Sequence, residues 1–443
     1  MAAAFPLWAP AQMHRPIAWR DGKAVTLGDF ARHVAALTAR LPRTSAMLDL
    51  CEDRYHFLVA YAAALGAGQT VLLPHTRAEQ VIADVEKIHP SSYRCGDDTV
   101  SCAVREADGQ MDPAGVNSRV AGEHVAMIGF TSGSTGQSKA FPKLWRSMAG
   151  SNACNGSAMR AALRIADADV PWIVATVPPQ HMYGMELSVL LPLIGGMAVH
   201  SGRPLFPADI AQALAEVPEP RVLVSTPVHL RAIVESSQEF PHTSLIVSAT
   251  APLDATLALA AEKKLGGQLL EMFGSTETCV FASRRTAVDS WWKLYTGVSL
   301  RPTAEGTMVD APWFASPMFL QDIVEQRGDD EFIVRGRNTD LIEVAGKRAS
   351  LSDLTRRLQA IDGVKDAVVF QPEQETVGTI RRVAALVVAP GLSARQIVER
   401  LAPSVDSAFI PRPLLVVDAL PRNELGKLPL DTLMRVMKES AAP

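Results

Sequence analysis

VAMIGFTSGSTGQSK, residues 125–139, is the stretch from which the rest of the reading follows. VAMIGF is a short apolar run of the kind found in buried strands. It runs directly into Thr131, Ser132, Gly133, Ser134, Thr135 and Gly136, with Lys139 three residues on. Small residues let a backbone close around an anion. Their N–H groups and hydroxyls donate to it, and a lysine adds compact positive charge. The same composition suits a flexible linker. Its place after a buried strand favours a loop at a sheet edge, where ligands bind. The pattern G-x-x-x-x-G-K-[ST] of P-loop proteins is absent.

Downstream, strand-like and helix-like runs alternate. WIVATV (172–177), MAVH (197–200), RVLVST (221–226), LIVSAT (245–250) and QLLEMF (268–273) read as strands. Between them lie helices near 147–165, 185–193 and 207–217, a fourth from Pro227, and a fifth whose N-cap is Asp254. This alternation predicts an α/β chain with parallel β-α-β units and ligand loops after each strand. After about residue 330 the pattern changes to a short α+β set: helices 350–361 and 394–401, strands 364–370, 381–388 and 414–417, and a last helix from Asp431. The expected organisation is therefore a large domain, 1–338, and a small domain, 339–443.

Composition narrows the function. The 443 residues are 48% hydrophobic and 20% charged, which excludes a disordered chain. A net charge of −4 speaks against nucleic acid as a partner. Five cysteines without a C-x-x-C pattern support neither a disulfide framework nor a zinc site. The longest apolar stretch, near 189–199, is broken by Pro192, Gly195 and Gly196, so no membrane span is expected. The N-terminus lacks the pattern of a signal peptide, and a cytoplasmic location is the expectation.

TSGSTGxxK resembles the phosphate loop of the AMP-forming adenylating enzymes, a family of acyl- and aryl-CoA synthetases, peptide-synthetase adenylation domains and luciferases. Further motifs follow in that family's order: FGSTE (273–277), GRNTDLIEVAGKR (336–348) and LPRNELGK (420–427). Upstream, residues 26–41 and 65–74 are also similar. The resemblance implies ATP and Mg²⁺ as cofactors and a small carboxylic acid as substrate. It gives Thr250, Ala251, Phe273, Gly274, Ser275 and Thr276 to the adenine side of the nucleotide, and Asp322 and Arg337 to the ribose. Thr276 and Glu277 go to the metal, His181 of HMYG (181–184) to the gate of the acid pocket, and Lys427 to catalysis between the acid's carboxylate and the α-phosphate. Thr339 falls at the hinge, and Gly346 and Arg348 on the loop beside a pantetheine tunnel. Chemistry agrees in part. An oxygen-only pair suits Mg²⁺, and an ammonium stabilises charge where two anions meet. Each residue also has a plain alternative: Phe273 as a core aromatic, Glu277 as a loop carboxylate, Lys427 as a surface lysine.

The chain departs from the family pattern in several places. Thr339 stands where Asp or Lys is usual, and Glu343 where lysine is frequent. Leu320-Gln321 precede Asp322 in place of Thr-Gly, and the stretch between Arg284 and Asp322 is short. This compact layout is similar to ligases that load aryl or acyl acids onto acyl carrier proteins in pigment pathways. It implies a hydroxybenzoate-type acid and a carrier-borne phosphopantetheine thiol. CoA as acceptor and a non-catalytic nucleotide-binding relative are the alternatives.

Overall fold

The computed structural model describes residues 4–8, 13–107, 118–131, 139–166, 168–303, 305–337, 341–344, 347–372, 382–422, 426 and 428–441. Contacts divide the chain into two compact units. One is Met1–Ser299 with Asp310–Met318; the other is Leu300–Val309 with Phe319–Pro443. The α/β class expected from the sequence is observed. The hairpin Asp322–Arg327/Glu331–Arg337, placed in the large domain by the sequence reading, groups with the second unit. Thr339 lies outside the described residues.

In the first unit, nine strands form one large sheet. Their order is Trp292–Leu294, Cys279–Arg284, Gln268–Ser275, Leu245–Ser248, Arg221–Ser225, Trp172–Ala175, Ala198–His200, Pro16–Arg20 and Lys23–Thr26. The run from Gln268–Ser275 to Pro16–Arg20 pairs in parallel throughout. Helices Pro207–Glu216, Pro227–Glu235 and Ala255–Leu265 cover one face with Ile210, Leu214, Leu230, Ile233, Leu257 and Leu265. Asp254 caps the last of these through a 2.8 Å bond from the Leu257 N–H.

Val125–Thr131 does not join this series, as simple alternation had suggested. It belongs to a separate five-stranded sheet in the order Ser92–Cys95, Ala46–Asp49, Thr70–Leu73, Val125–Thr131, Lys139–Leu144. Its last partner is antiparallel, with Thr131 opposite Lys139. The Ser/Gly-rich segment thus lies in sequence between two strands that pair with each other. Helix Arg54–Gly66 is buried from Arg54 to Leu65, the mark of a helix enclosed on all sides. Its first residue, Arg54, donates to the carbonyls of Ala175 (3.0 Å) and Val177 (2.8 Å) at the end of a large-sheet strand.

The second unit contains a three-stranded sheet, Asp366–Phe370, Ala384–Val388 and Leu414–Val416. Helices Leu351–Gln359 and Ala394–Leu401 close it with Leu354, Leu358, Ile397 and Leu401. Ser350 and Ser393 cap these helices. No helix among the described residues is long and apolar enough to cross a membrane.

Candidate active site

Two of the expected motifs, FGSTE and the strands flanking the Ser/Gly-rich segment, lie against each other in the first unit. The hairpin Gln268–Ser275/Cys279–Arg284 turns through Thr276, Glu277 and Thr278. Only glycine fits before this turn, since a Cβ on Gly274 would lie 2.1 Å from the Cys279 carbonyl oxygen. The turn is laced internally. Thr278 Oγ1 accepts from the Ser275 N–H at 3.0 Å, and Ser275 Oγ accepts from the Thr278 N–H at 3.2 Å. Cys279 takes φ +58°, a left-handed conformation uncommon outside glycine. At the hairpin's other end, Glu271 and Arg284 are cross-strand partners joined at 2.8 Å.

The Ser/Gly-rich hairpin reaches this turn at two points. A Cβ on Gly129 would come within 3.9 Å of Thr276 Cγ2. Lys143, on the returning strand, is buried and donates its ammonium to the Glu277 carbonyl. Lys139 opens that strand and is exposed. Residues 132–138 and the Thr131 side chain lie outside the described ones.

Thr250 and Ala251 follow Leu245–Ser248 at the carboxyl edge of the large sheet. Thr250 has φ +81°, an outlier for a β-branched residue and of the strained kind that clusters at binding sites. Phe273 is half-buried. Its ring meets Phe281 edge-on at 5.5 Å and Trp292 at 5.0 Å. This cluster is what the core-aromatic alternative called for, and the strand runs on past Phe273 to Ser275.

His181 stands at the N-cap position of the short helix Met182–Met185, without a side-chain capping bond, and the helix passes into a π-helical turn, Glu186–Leu190. Such turns recur at functional sites. HMYG needs its glycine: a Cβ on Gly184 would sit 1.9 Å from the Pro178 carbonyl oxygen. The Tyr183 hydroxyl is the donor toward two carbonyl acceptors, Ser225 at 3.1 Å and Val247 at 3.0 Å. These bonds tie the HMYG segment to the carboxyl ends of Arg221–Ser225 and Leu245–Ser248, the second of which leads to Thr250. Nearby, His229 Nδ1 lies 2.9 Å from Thr226 Oγ1 and 3.3 Å from Thr176 Oγ1. Burial, helped by the charge of Arg203, holds this imidazole below its usual range.

In the second unit, Asp322 and Arg337 are directly opposed across their antiparallel hairpin, and Asp322 is buried. The structure so pairs the two residues that the sequence reading gave to the ribose. Gly346 and Lys427 lie outside the described residues, as does the Arg348 side chain.

Sequence reasoning missed Glu186 and Lys143. Glu186 is buried and accepts from Ser151, from Asn155 (3.2 Å) and from the Val280 N–H (3.1 Å). Burial pushes its carboxyl above the usual range, while these bonds and the charge of Lys143 pull it back. A charged residue inside the apolar run MYGMELSVLLPLI was the available signal.

The donors of the turn, a Thr hydroxyl and a carboxylate, fit a magnesium–nucleotide. Mg²⁺ prefers oxygen and takes one or two carboxylates along with phosphates. The described residues contain no cluster of three or more His, Cys, Asp or Glu placed to hold a metal, so phosphate oxygens would complete the set.

Residues 33–311 match the model of the AMP-binding enzyme family, and the chain belongs to that family of ATP-dependent, AMP-forming ligases. It is similar to the 4-coumarate–CoA ligase of Halorhodospira halophila, 27% identical over 70% of this chain and 76% of the relative. The enzyme of that name from Rhodobacter capsulatus is 29% identical over 53% of this chain and 58% of its own length. The p-hydroxybenzoic acid–AMP ligase FadD22 of Mycobacterium marinum is 27% identical over 69% of this chain. The chain spans about half of that relative's length (48%). Among solved structures, the o-succinylbenzoate CoA synthetase MenE of Bacillus subtilis with AMP superposes with a TM-score of 0.79. It is 18% identical, over 97% of this chain and 98% of that one. ATP-bound MatB of Rhodopseudomonas palustris gives 0.77 at 18% identity, over 96% of each. These likenesses establish the fold.

Proposed function

We propose that the chain activates a hydroxybenzoate-type aromatic acid with ATP and passes it to the phosphopantetheine thiol of an acyl carrier protein. The observation that carries the ligase reading is the junction of the two hairpins, Lys143 on the Glu277 carbonyl and Gly129 beside Thr276. It brings the strands that flank the Ser/Gly-rich segment against a turn of hard oxygen donors, which supports this reading. An oxygen of the acid's carboxylate attacks the α-phosphorus and pyrophosphate leaves. The thiol then attacks the acyl carbonyl and AMP leaves. Bound Mg²⁺ supplies charge neutralisation at the phosphates. The loop Thr131–Lys139 grips those phosphates through N–H groups and the Lys139 ammonium. Lys427 brings its ammonium to the meeting carboxylate and phosphate, and His181 bounds the acid pocket. Between the half-reactions the small domain turns about Thr339, withdrawing Lys427 and admitting Gly346 and Arg348.

The aromatic acid draws support from relatives named for p-hydroxybenzoic acid and 4-coumarate. The carrier draws support from the compact layout and from similarity to the phosphinothricin tripeptide synthetase PhsC of Streptomyces viridochromogenes, 27% identical over 78% of this chain. The CoA-ligase relatives favour a second reading, CoA as acceptor.

Acid-dependent ATP–pyrophosphate exchange across a panel of acids tests the first step. Exchange with hydroxybenzoates is expected, and no exchange with any acid would leave a non-catalytic relative. Thioester formation on a holo carrier protein should outrun that on CoA at equal concentration. It should also slow more steeply with salt, because exposed charges are screened beyond about 8 Å at physiological ionic strength. Faster reaction with CoA, and equal salt response, would select the second reading.

A further inference from the structure

Glu186 and Lys143 take no part in the chemistry above, yet both are buried charged groups, 1% and 5% exposed. Each bonds to the segment 277–280. Lys143 donates to the main-chain carbonyl of Glu277. The Val280 N–H donates to Glu186, at 3.1 Å from both carboxylate oxygens. Ser151 Oγ, with a single proton to donate, lies within reach of Glu186 and 3.1 Å from the Val280 carbonyl. Asn155, which donates to Glu186, is itself held through its carbonyl oxygen by the Tyr295 hydroxyl at 3.0 Å. The turn that presents Thr276 and Glu277 is thus held at its middle and just past its C-terminal end. The Glu277 carbonyl is bound by a cation from the strand after the Ser/Gly-rich segment, and Val280 by an anion from the helix that begins beside His181.

We propose that Glu186 and Lys143 are positioning residues that fix the Thr276–Glu277 turn for a magnesium–nucleotide, an inference resting on the reading of Glu277 as the metal residue. Groups behind a metal ligand set its orientation, and their loss typically weakens metal binding about 10–100-fold. A carboxylate suits this place because every neighbour donates. In Glu186→Gln the new amide N–H₂ must face a donor, so the turn loses its fixed geometry while side-chain volume is kept.

The experiment titrates the full-length protein with a fluorescent ATP analogue, with and without Mg²⁺, and follows the thermal midpoint to verify folding. Wild type, Glu186→Gln and Glu277→Gln are compared. In wild type, Mg²⁺ should tighten binding. In Glu186→Gln the Mg²⁺-dependent gain should shrink about tenfold or more, with affinity in the absence of Mg²⁺ unchanged. A merely structural role would lower the thermal midpoint and leave that gain intact. A full gain in Glu186→Gln beside a lost gain in Glu277→Gln would overturn the inference. An intact gain in both would overturn the metal reading of Glu277 and the inference with it. If Glu186→Gln fails to fold, Lys143→Gln is read by the same criteria.

Discussion

Thr250 holds φ +81° without the freedom of glycine. Such a conformation costs about 1–3 kcal/mol, and it persists where the surroundings require it. Thr250→Gly should therefore stabilise the protein by about 1 kcal/mol, read as a raised urea midpoint at constant slope. If the hydroxyl serves the nucleotide, ATP affinity should fall in the same variant. Asp49 carries a different stress. It is buried, accepts only from the Cys51 N–H (3.1 Å) among the described residues, and burial pushes its carboxyl up to about 8. The folded state so holds a proton that the unfolded chain releases near its ordinary 3.8. This contribution to stability is complete below that value, declines as pH rises, and is gone above about 8. Asp49→Asn removes the titration, so its stability relative to wild type should climb between pH 5 and pH 9. Denaturant midpoints at the two pH values check it, and a constant difference would contradict the buried acid.

At the scale of elements, the helix after HMYG depends on one close approach. Gly184→Ala sets a methyl 1.9 Å from a backbone oxygen that cannot swing aside. It should cost about 3 kcal/mol and displace His181, visible as a lowered thermal midpoint and a raised KM for the acid. Most of the strands and helices around this motif were legible, because apolar runs bounded by Pro, Gly and Asp mark where a strand or helix starts and stops. LIVSAT and RVLVST lie within a residue or two of their observed strands. Sheet membership was not legible. VAMIGF reads as a buried strand whichever sheet receives it, and its antiparallel partner Lys139–Leu144 has no strong alternation of its own. The site motifs stood out because glycines and hydroxyls interrupt apolar runs. Glu186 and Lys143 did not, since a buried charge is intelligible only once its partners, far away in sequence, are in place.

For the whole molecule, the two half-reactions proposed above make different demands on Lys427, the lysine to which the proposal gives catalysis. Lys427→Ala should slow adenylation on the order of 10²–10³-fold, the usual cost of one preorganised transition-state contact. Transfer from a supplied acyl-adenylate should survive, and equal loss of both steps would argue against rotation about Thr339. The large sheet also has a history written into its order. Its edge hairpin Pro16–Arg20/Lys23–Thr26 is made first, yet Ala18 and Trp19 pair with Val199 and His200. The whole five-stranded sheet, residues 46–144, is drawn from the chain in between. On the ribosome every strand of that smaller sheet emerges while the opening hairpin waits with an unpaired edge for residue 200. Unpaired edges invite association with other chains. Nascent chains halted before residue 200 should therefore be the species most dependent on chaperones, and the danger passes once Ala198–His200 is delivered.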